Sequence, residues 1–209
     1  NDLKDEEYIN SHYVIMVTKK GQVKKTSLEQ YSRPRTNGIN AITIKDDDEL
    51  FSAKLTTGDS QVVLAIKSGK AIRFEEEKTR PMGRNASGVR GITLADDNDE
   101  VIGMVAVNDS ESNILVVSEN GYGKRSLVED YRVTNRGGKG VKTISITEKT
   151  GNLVAINNVT DDDDLMIINK SGIAIRMAVS ELRVMGRATQ GVRLINLKNG
   201  DTIAAVTKV

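Results

Sequence analysis

A chain of 209 residues that is 38% hydrophobic is long enough to bury a sizeable core in one large or two small domains. Without cysteine it has no disulfide framework or thiolate zinc site, and its single histidine excludes a multi-histidine metal centre. A formal charge of +1 argues against a uniformly basic nucleic-acid binder, and no apolar run nears the ~20 residues of a membrane span, so a soluble cytoplasmic protein is expected.

Along the chain, the first hairpin pattern is "KKGQVKKT" at 19–26, followed by "RTNGINAI" at 35–42 and the acidic run DDDE at 46–49. The same succession then returns as "KSGKAIRF" (67–74), "NASGVRGI" (85–92) and DDNDE (96–100). It returns again as "SENGYGKRS" (118–126) and "GGKGVKTI" (137–144), and after DDDD (161–164) as "NKSGIAIRM" (169–177) and "ATQGVRLI" (188–195). The leading glycines, Gly21, Gly69, Gly121 and Gly172, are 48, 52 and 51 residues apart. The second series, Gly38, Gly88, Gly140 and Gly191, keeps step at 50, 52 and 51. The chain is therefore a single repeat domain with units at approximately 8–57, 58–108, 109–160 and 161–209.

Each unit carries four short apolar runs, read in the second as QVVLAIK (61–67), AIRF (71–74), VRGITL (89–94) and VIGMVAV (101–107). Their length, β-branched content and intervening Gly, Asn and Asp predict strands, sixteen in all, with tight turns at "KSGK" and "ENGY". An all-β protein is expected, with four-stranded sheets recurring every 50 or so residues as the blades of a propeller. With aromatics at 3%, its core must be built mainly of Val, Ile, Leu, Ala and Met.

The cations repeat with the glycines. Four residues after the first glycine stand Lys25, Arg73, Arg125 and Arg176, with Lys24 and Lys124 beside them in two copies. Four before the second glycine stand Arg84, Arg136 and Arg187, with Arg35 one position off; eight before it stand Arg80, Arg132 and Arg183, with Arg33 nearby. Two after it come Arg90, Lys142 and Arg193. Any one of these reads equally well as an ordinary solvated charge, but recurrence in every unit predicts a basic belt around a circular body. Such a belt, with few rings for stacking bases, suits the phosphates of duplex DNA and sequence-tolerant binding. The rival reading is a protein-interaction platform whose belt meets an acidic partner.

Enzyme motifs fail. "NRGGKG" (135–140), with Arg136 and Lys139, resembles a phosphate loop, yet no Gly-Lys pair is followed by Ser or Thr, and no GxGxxG opens a helix. His12 reads as a surface residue, and the acidic runs lack the spaced ligands of a calcium loop. No catalytic residue, metal or cofactor is expected in this chain.

The strings "VKKTSLEQYSRPRTNGINAI", "IRFEEEKTRPMGRNASGVRGI", "NGYGKRSLVEDYRVTNRGGKGVKTI" and "VSELRVMGRATQGVRLI" resemble the carboxy-terminal domain of the bacterial DNA gyrase A subunit over essentially the whole chain. The resemblance implies a β-pinwheel, a propeller-like disc with strands exchanged between blades, whose rim bends and wraps duplex DNA so that strand passage introduces negative supercoils. It implies a non-catalytic module, with the catalytic Tyr, the ATPase site and the use of ATP and Mg2+ elsewhere in the parent topoisomerase. It also implies, as partners in an A2B2 holoenzyme, the remainder of the gyrase A chain together with gyrase B, and a cytoplasmic, nucleoid-associated location. The family's domain usually has six blades, with a QRRGGKG-type box in the first. This chain has four repeats that look like the last four, and its box-like "NRGGKG" falls in the third. The C-terminal domain of the corresponding topoisomerase IV chain is a related alternative.

Overall fold

A computed structural model describes residues 2–209. A short helical lead, with α1 at Glu6–Ser11 capped by the Asp5 carboxylate, precedes fifteen strands. These are β1 (Tyr13–Thr18), β2 (Gln22–Ser27), β3 (Leu50–Thr56), β4 (Gln61–Ile66), β5 (Lys70–Glu75), β6 (Val89–Arg90), β7 (Val101–Val107) and β8 (Asn113–Ser118). The remainder are β9 (Tyr122–Leu127), β10 (Val141–Lys142), β11 (Leu153–Val159), β12 (Asp164–Asn169), β13 (Ala174–Ala178), β14 (Val192–Arg193) and β15 (Ile203–Lys208).

The strands form antiparallel sheets in the orders β3-β1-β2-β6, β10-β5-β4-β7, β11-β8-β9-β14 and β13-β12-β15. Each unit supplies a hairpin and the strand inside it, while the short outermost strand comes from the next unit. Thus β6 pairs with β2, β10 with β5 and β14 with β9. Sixteen strands are expected from the repeat; the described residues form fifteen, since 39–44 pairs with none of these sheets and the last sheet has three strands.

The hairpins close where the repeat places its first glycine; at Gly69 φ is +94°, a value side chains resist. The second glycine answers a different need. At Gly140, with φ +78°, an added Cβ would lie 2.5 Å from the Ala71 carbonyl oxygen, so only glycine lets the donated strand cross this close to its host.

Three apolar layers lie between successive sheets: Ile15, Val17 and Val23 against Leu64, Ile66 and Phe74; Val63 and Val105 against Ile114 and Val116; Leu115 and Val117 against Leu165 and Ile167. Sheets covered on both faces explain why β8 is buried along its whole length and its sequence shows no alternation. Each fully buried Val, Leu or Ile contributes roughly 1.5–3 kcal/mol. The innermost strands pack in succession, β3 on β7, β7 on β11 and β11 on β15, with no comparable packing of β15 on β3. Phe51, Ile102, Val154 and Ala204, one from each, line a cavity of about 500 Å³. The units therefore form an arc.

Candidate nucleic-acid interface

The basic columns divide by depth. Those that belong to the donated strands and the connections leading into them are on the surface: Arg80, Arg132 and Arg183, then Arg90, Lys142 and Arg193, are all exposed. Because β6, β10 and β14 are the outermost strands, the last three cations stand on the rim, one per unit. Arg33, Arg35 and Lys139 are also exposed. Four ion pairs occur among the described residues, and none involves these nine cations.

The column four residues after the first glycine is corrected by the structure. In three of four copies its cation turns into the joint between units. Lys25 is 4% exposed, with Nζ 3.5 Å from the Glu76 carboxylate and 4.3 Å from the centre of the Tyr13 ring. Arg73 donates to the Val128 and Tyr131 carbonyls at 3.0 and 2.9 Å and to the Gln61 side chain. Arg125, 8% exposed, donates to the Leu182 carbonyl at 2.6 Å, to Asn113 at 3.3 Å and to Asp161 at 2.5 Å. The column stays positive because the turn of the next unit presents oxygen atoms that need donors. Only Arg176, in the last of the four units, is exposed, and it pairs with Asp164 at 2.8 Å.

Lys24 and Lys124 are also interior, at 1% and 0% exposure. Lys24 Nζ donates to the Ala41 carbonyl at 2.6 Å and to that of Arg84; Lys124 Nζ donates to Gly186 at 2.7 Å, to the Arg187 carbonyl and to Thr189. Arg84, Arg136 and Arg187 are half-buried straps. Arg136 donates to the Lys78 and Arg90 carbonyls at 3.3 and 3.1 Å, and Arg187 does the same to Asp130 and Lys142 one unit on. Arg84 reaches the Gln30 carbonyl at 3.4 Å.

At "NRGGKG" these groups converge. A cavity of about 400 Å³ is lined by Arg73, Arg132, Arg136 and Lys139 together with Gly138 and Gly140. Backbone without side chains and four cations make a positively charged opening, two of whose cations, Arg73 and Arg136, already donate to carbonyls of the chain.

Two contributors escape the repeat pattern. Lys149, outside every column, lies 5.4 Å from the Tyr122 ring, whose other neighbour is Arg193 at 5.3 Å. Glu76 is fully buried and accepts from Thr56 at 2.7 Å and from the Gly58 and Ser60 amides at 2.9 Å. Its signal is a lone carboxylate in a column otherwise occupied by Leu28, Val128 and Val179.

Burial also marks the alkaline behaviour of the joints. Desolvation brings Lys24 and Lys124 down from 10.5 to about 8, and the facing Arg84 and Arg187 add to the effect. The folded chain then sheds these protons above pH 8 while the unfolded chain holds them to 10.5, so stability rises with pH across that interval. Burial lifts Tyr131 from 10.0 to about 12, so above pH 10 the unfolded chain ionises first and stability falls again. The melting temperature is expected to climb between pH 8 and 10; in Lys24→Met/Lys124→Met the climb should vanish, as thermal unfolding across that range would show.

The chain is similar to known proteins. The family described as DNA gyrase C-terminal domain, beta-propeller, matches residues 12–57, 63–108, 112–160 and 163–209. The DNA gyrase A subunit of Staphylococcus epidermidis (strain ATCC 12228 / FDA PCI 1200) is 47% identical over all 209 residues, and that of Staphylococcus aureus (strain MRSA252) is 46% identical. The chain spans 23% of the length of each. A solved DNA gyrase A C-terminal domain matches with a TM-score of 0.84 at 26% identity, over 95% of this chain and 66% of that one. A C-terminal domain of DNA topoisomerase IV gives 0.89 at 23% identity, over 95% and 62%, a likeness of fold.

Proposed function

The chain belongs to the DNA gyrase C-terminal domain family, and from that premise we propose that it binds duplex DNA along its rim without sequence preference and bends it. The observation that carries this reading is the recurrence, unit by unit, of exposed and unpaired cations on the outermost strands and their approaches: Arg80 and Arg90, Arg132 and Lys142, Arg183 and Arg193. Phosphates recur along a duplex, and a curved row of cations meets more of them when the duplex follows the curve. The rim offers no helix or two-stranded ribbon of a size to enter a major groove, which favours backbone contacts over base readout.

Within a longer polypeptide, this piece would wrap DNA non-catalytically and so direct negative supercoiling. Cleavage and ATP hydrolysis would belong to the remainder of the gyrase A chain and to gyrase B, assembled as an A2B2 enzyme in the bacterial cytoplasm, close to the nucleoid. Identity of 46–47% to gyrase A chains favours that enzyme over topoisomerase IV as the parent.

The test is ligation of nicked circular DNA in the presence of the chain, followed by measurement of linking number. A positive shift is expected, together with an affinity that falls steeply with salt, by about 0.9 in the logarithmic slope for each phosphate neutralised. Affinity indifferent to salt would overturn the reading.

A further inference from the structure

Beside each exposed arginine on the approach to the rim stands an exposed apolar residue. The pairs are Arg80-Pro81, Arg132-Val133 and Arg183-Val184, and Arg33-Pro34 follows the longer turn of the first unit. Val133 and Val184 are 45 and 44% exposed. A single exposed valine is ordinary on a protein surface, whereas an apolar residue kept beside an arginine in every unit marks a contact.

These pairs are firmly held. Pro81, Val133 and Val184 form parallel bridges with Lys25, Arg73 and Arg125 of the preceding hairpin. The amide that follows, of Met82, Thr134 or Met185, donates to the carbonyl of that cation at 2.7, 2.8 or 2.8 Å. The other end of the same strand edge is covered by β6, β10 or β14, so each pair lies along the outer edge of its sheet together with Arg90, Lys142 or Arg193. Proline and valine have little rotamer freedom to lose on contact. Arg80, Arg132 and Arg183 make no ion pair among the described residues. Their column is all Arg, whereas the column at 90, 142 and 193 admits Lys, the more strongly hydrated cation.

Resting on the reading of the rim as a duplex surface, we infer that each Arg-Pro or Arg-Val pair enters the minor groove where it turns toward the protein. The guanidinium lies in the groove, and the proline ring or valine side chain packs against its deoxyribose wall. Phosphates account for the cations but not for their apolar neighbours; the sugars are the apolar surface a duplex shows beside its phosphates. A minor groove compressed on the inside of a bend carries a deeper negative potential, which draws arginine, and apolar side chains are used there to hold the bend. The major groove admits a helix or a two-stranded ribbon, and the rim has neither. These contacts therefore reward bending, because a straight duplex laid on one unit of the arc passes out of reach of the others.

The test uses nicked circles that differ only in the minor groove. Inosine in place of guanosine removes the amino group that stands there, and diaminopurine in place of adenine adds one. The unaltered chain is expected to bind the inosine circles more tightly than ordinary DNA and the diaminopurine circles more weakly, with linking-number shifts in the same order. Pro81→Thr/Val133→Thr/Val184→Thr alters exposed positions and keeps every charge. Its affinity for ordinary DNA should fall about tenfold with the loss of apolar contact, at an unchanged salt slope, and its discrimination among the circles should shrink. Unaltered chain that binds all the circles alike overturns the inference. So does discrimination undiminished in the variant, which would belong to the stiffness of the modified DNA. Neither result touches the broader reading, which fails on affinity indifferent to salt.

Discussion

Arg125→Ala is expected to lower the stability of the chain by about 2–5 kcal/mol, because it strips donors from buried oxygens that water cannot reach. The Leu182 carbonyl, 2.6 Å from Nε, and the Asn113 side-chain oxygen, 3.3 Å from Nη1, both lose a donor, and the stem of an 8%-exposed side chain leaves a void at the joint of the third and fourth units. Asp161 loses its partner too, but its side chain is 72% exposed and rehydrates. The control comes from the same column: Arg176→Ala removes a solvent-screened pair with Asp164 and should change stability by no more than about 1 kcal/mol. Urea unfolding of the two variants distinguishes a fastener from a surface charge. Equal midpoints would return the column to the surface.

Neutralising the exposed rim should do the converse. With Arg80, Arg90, Arg132, Lys142, Arg183 and Arg193 all changed to Gln, the slope of log affinity against log salt for duplex DNA is expected to become shallower by about 5, while the unfolding midpoint moves little. Of the six, Arg193 alone is tied to a neighbour, by Nη2 on the Tyr122 hydroxyl at 2.8 Å, so a reversion of that position separates its packing from its charge. An unchanged salt slope would remove the rim from consideration as the DNA surface.

Much of this molecule was legible in its residues. The period, the hairpins and the short strands follow from glycines and β-branched runs in step, and the family strings added the exchange of strands. Depth was not legible. Lys24 and Lys25 are adjacent cations on one strand, alternation sends them to opposite faces, and the two-sided packing of the sheet buries both. Arg125 and Arg176 are the same residue at the same place in the repeat, yet one is interior, held by the Leu182 carbonyl of the next unit, and the other is exposed. Recurrence of charge across units reported a recurrent oxygen-rich joint as readily as a recurrent ligand.

Because every internal joint is made by the same move, a short strand passed back to the hairpin before it, a segment of about 50 residues can be duplicated or deleted between glycines without creating a new kind of contact. The span of the arc, and with it the length of duplex its cations can follow, is then a matter of copy number, open to evolutionary change by whole-unit gain or loss while each unit's own sequence is left untouched.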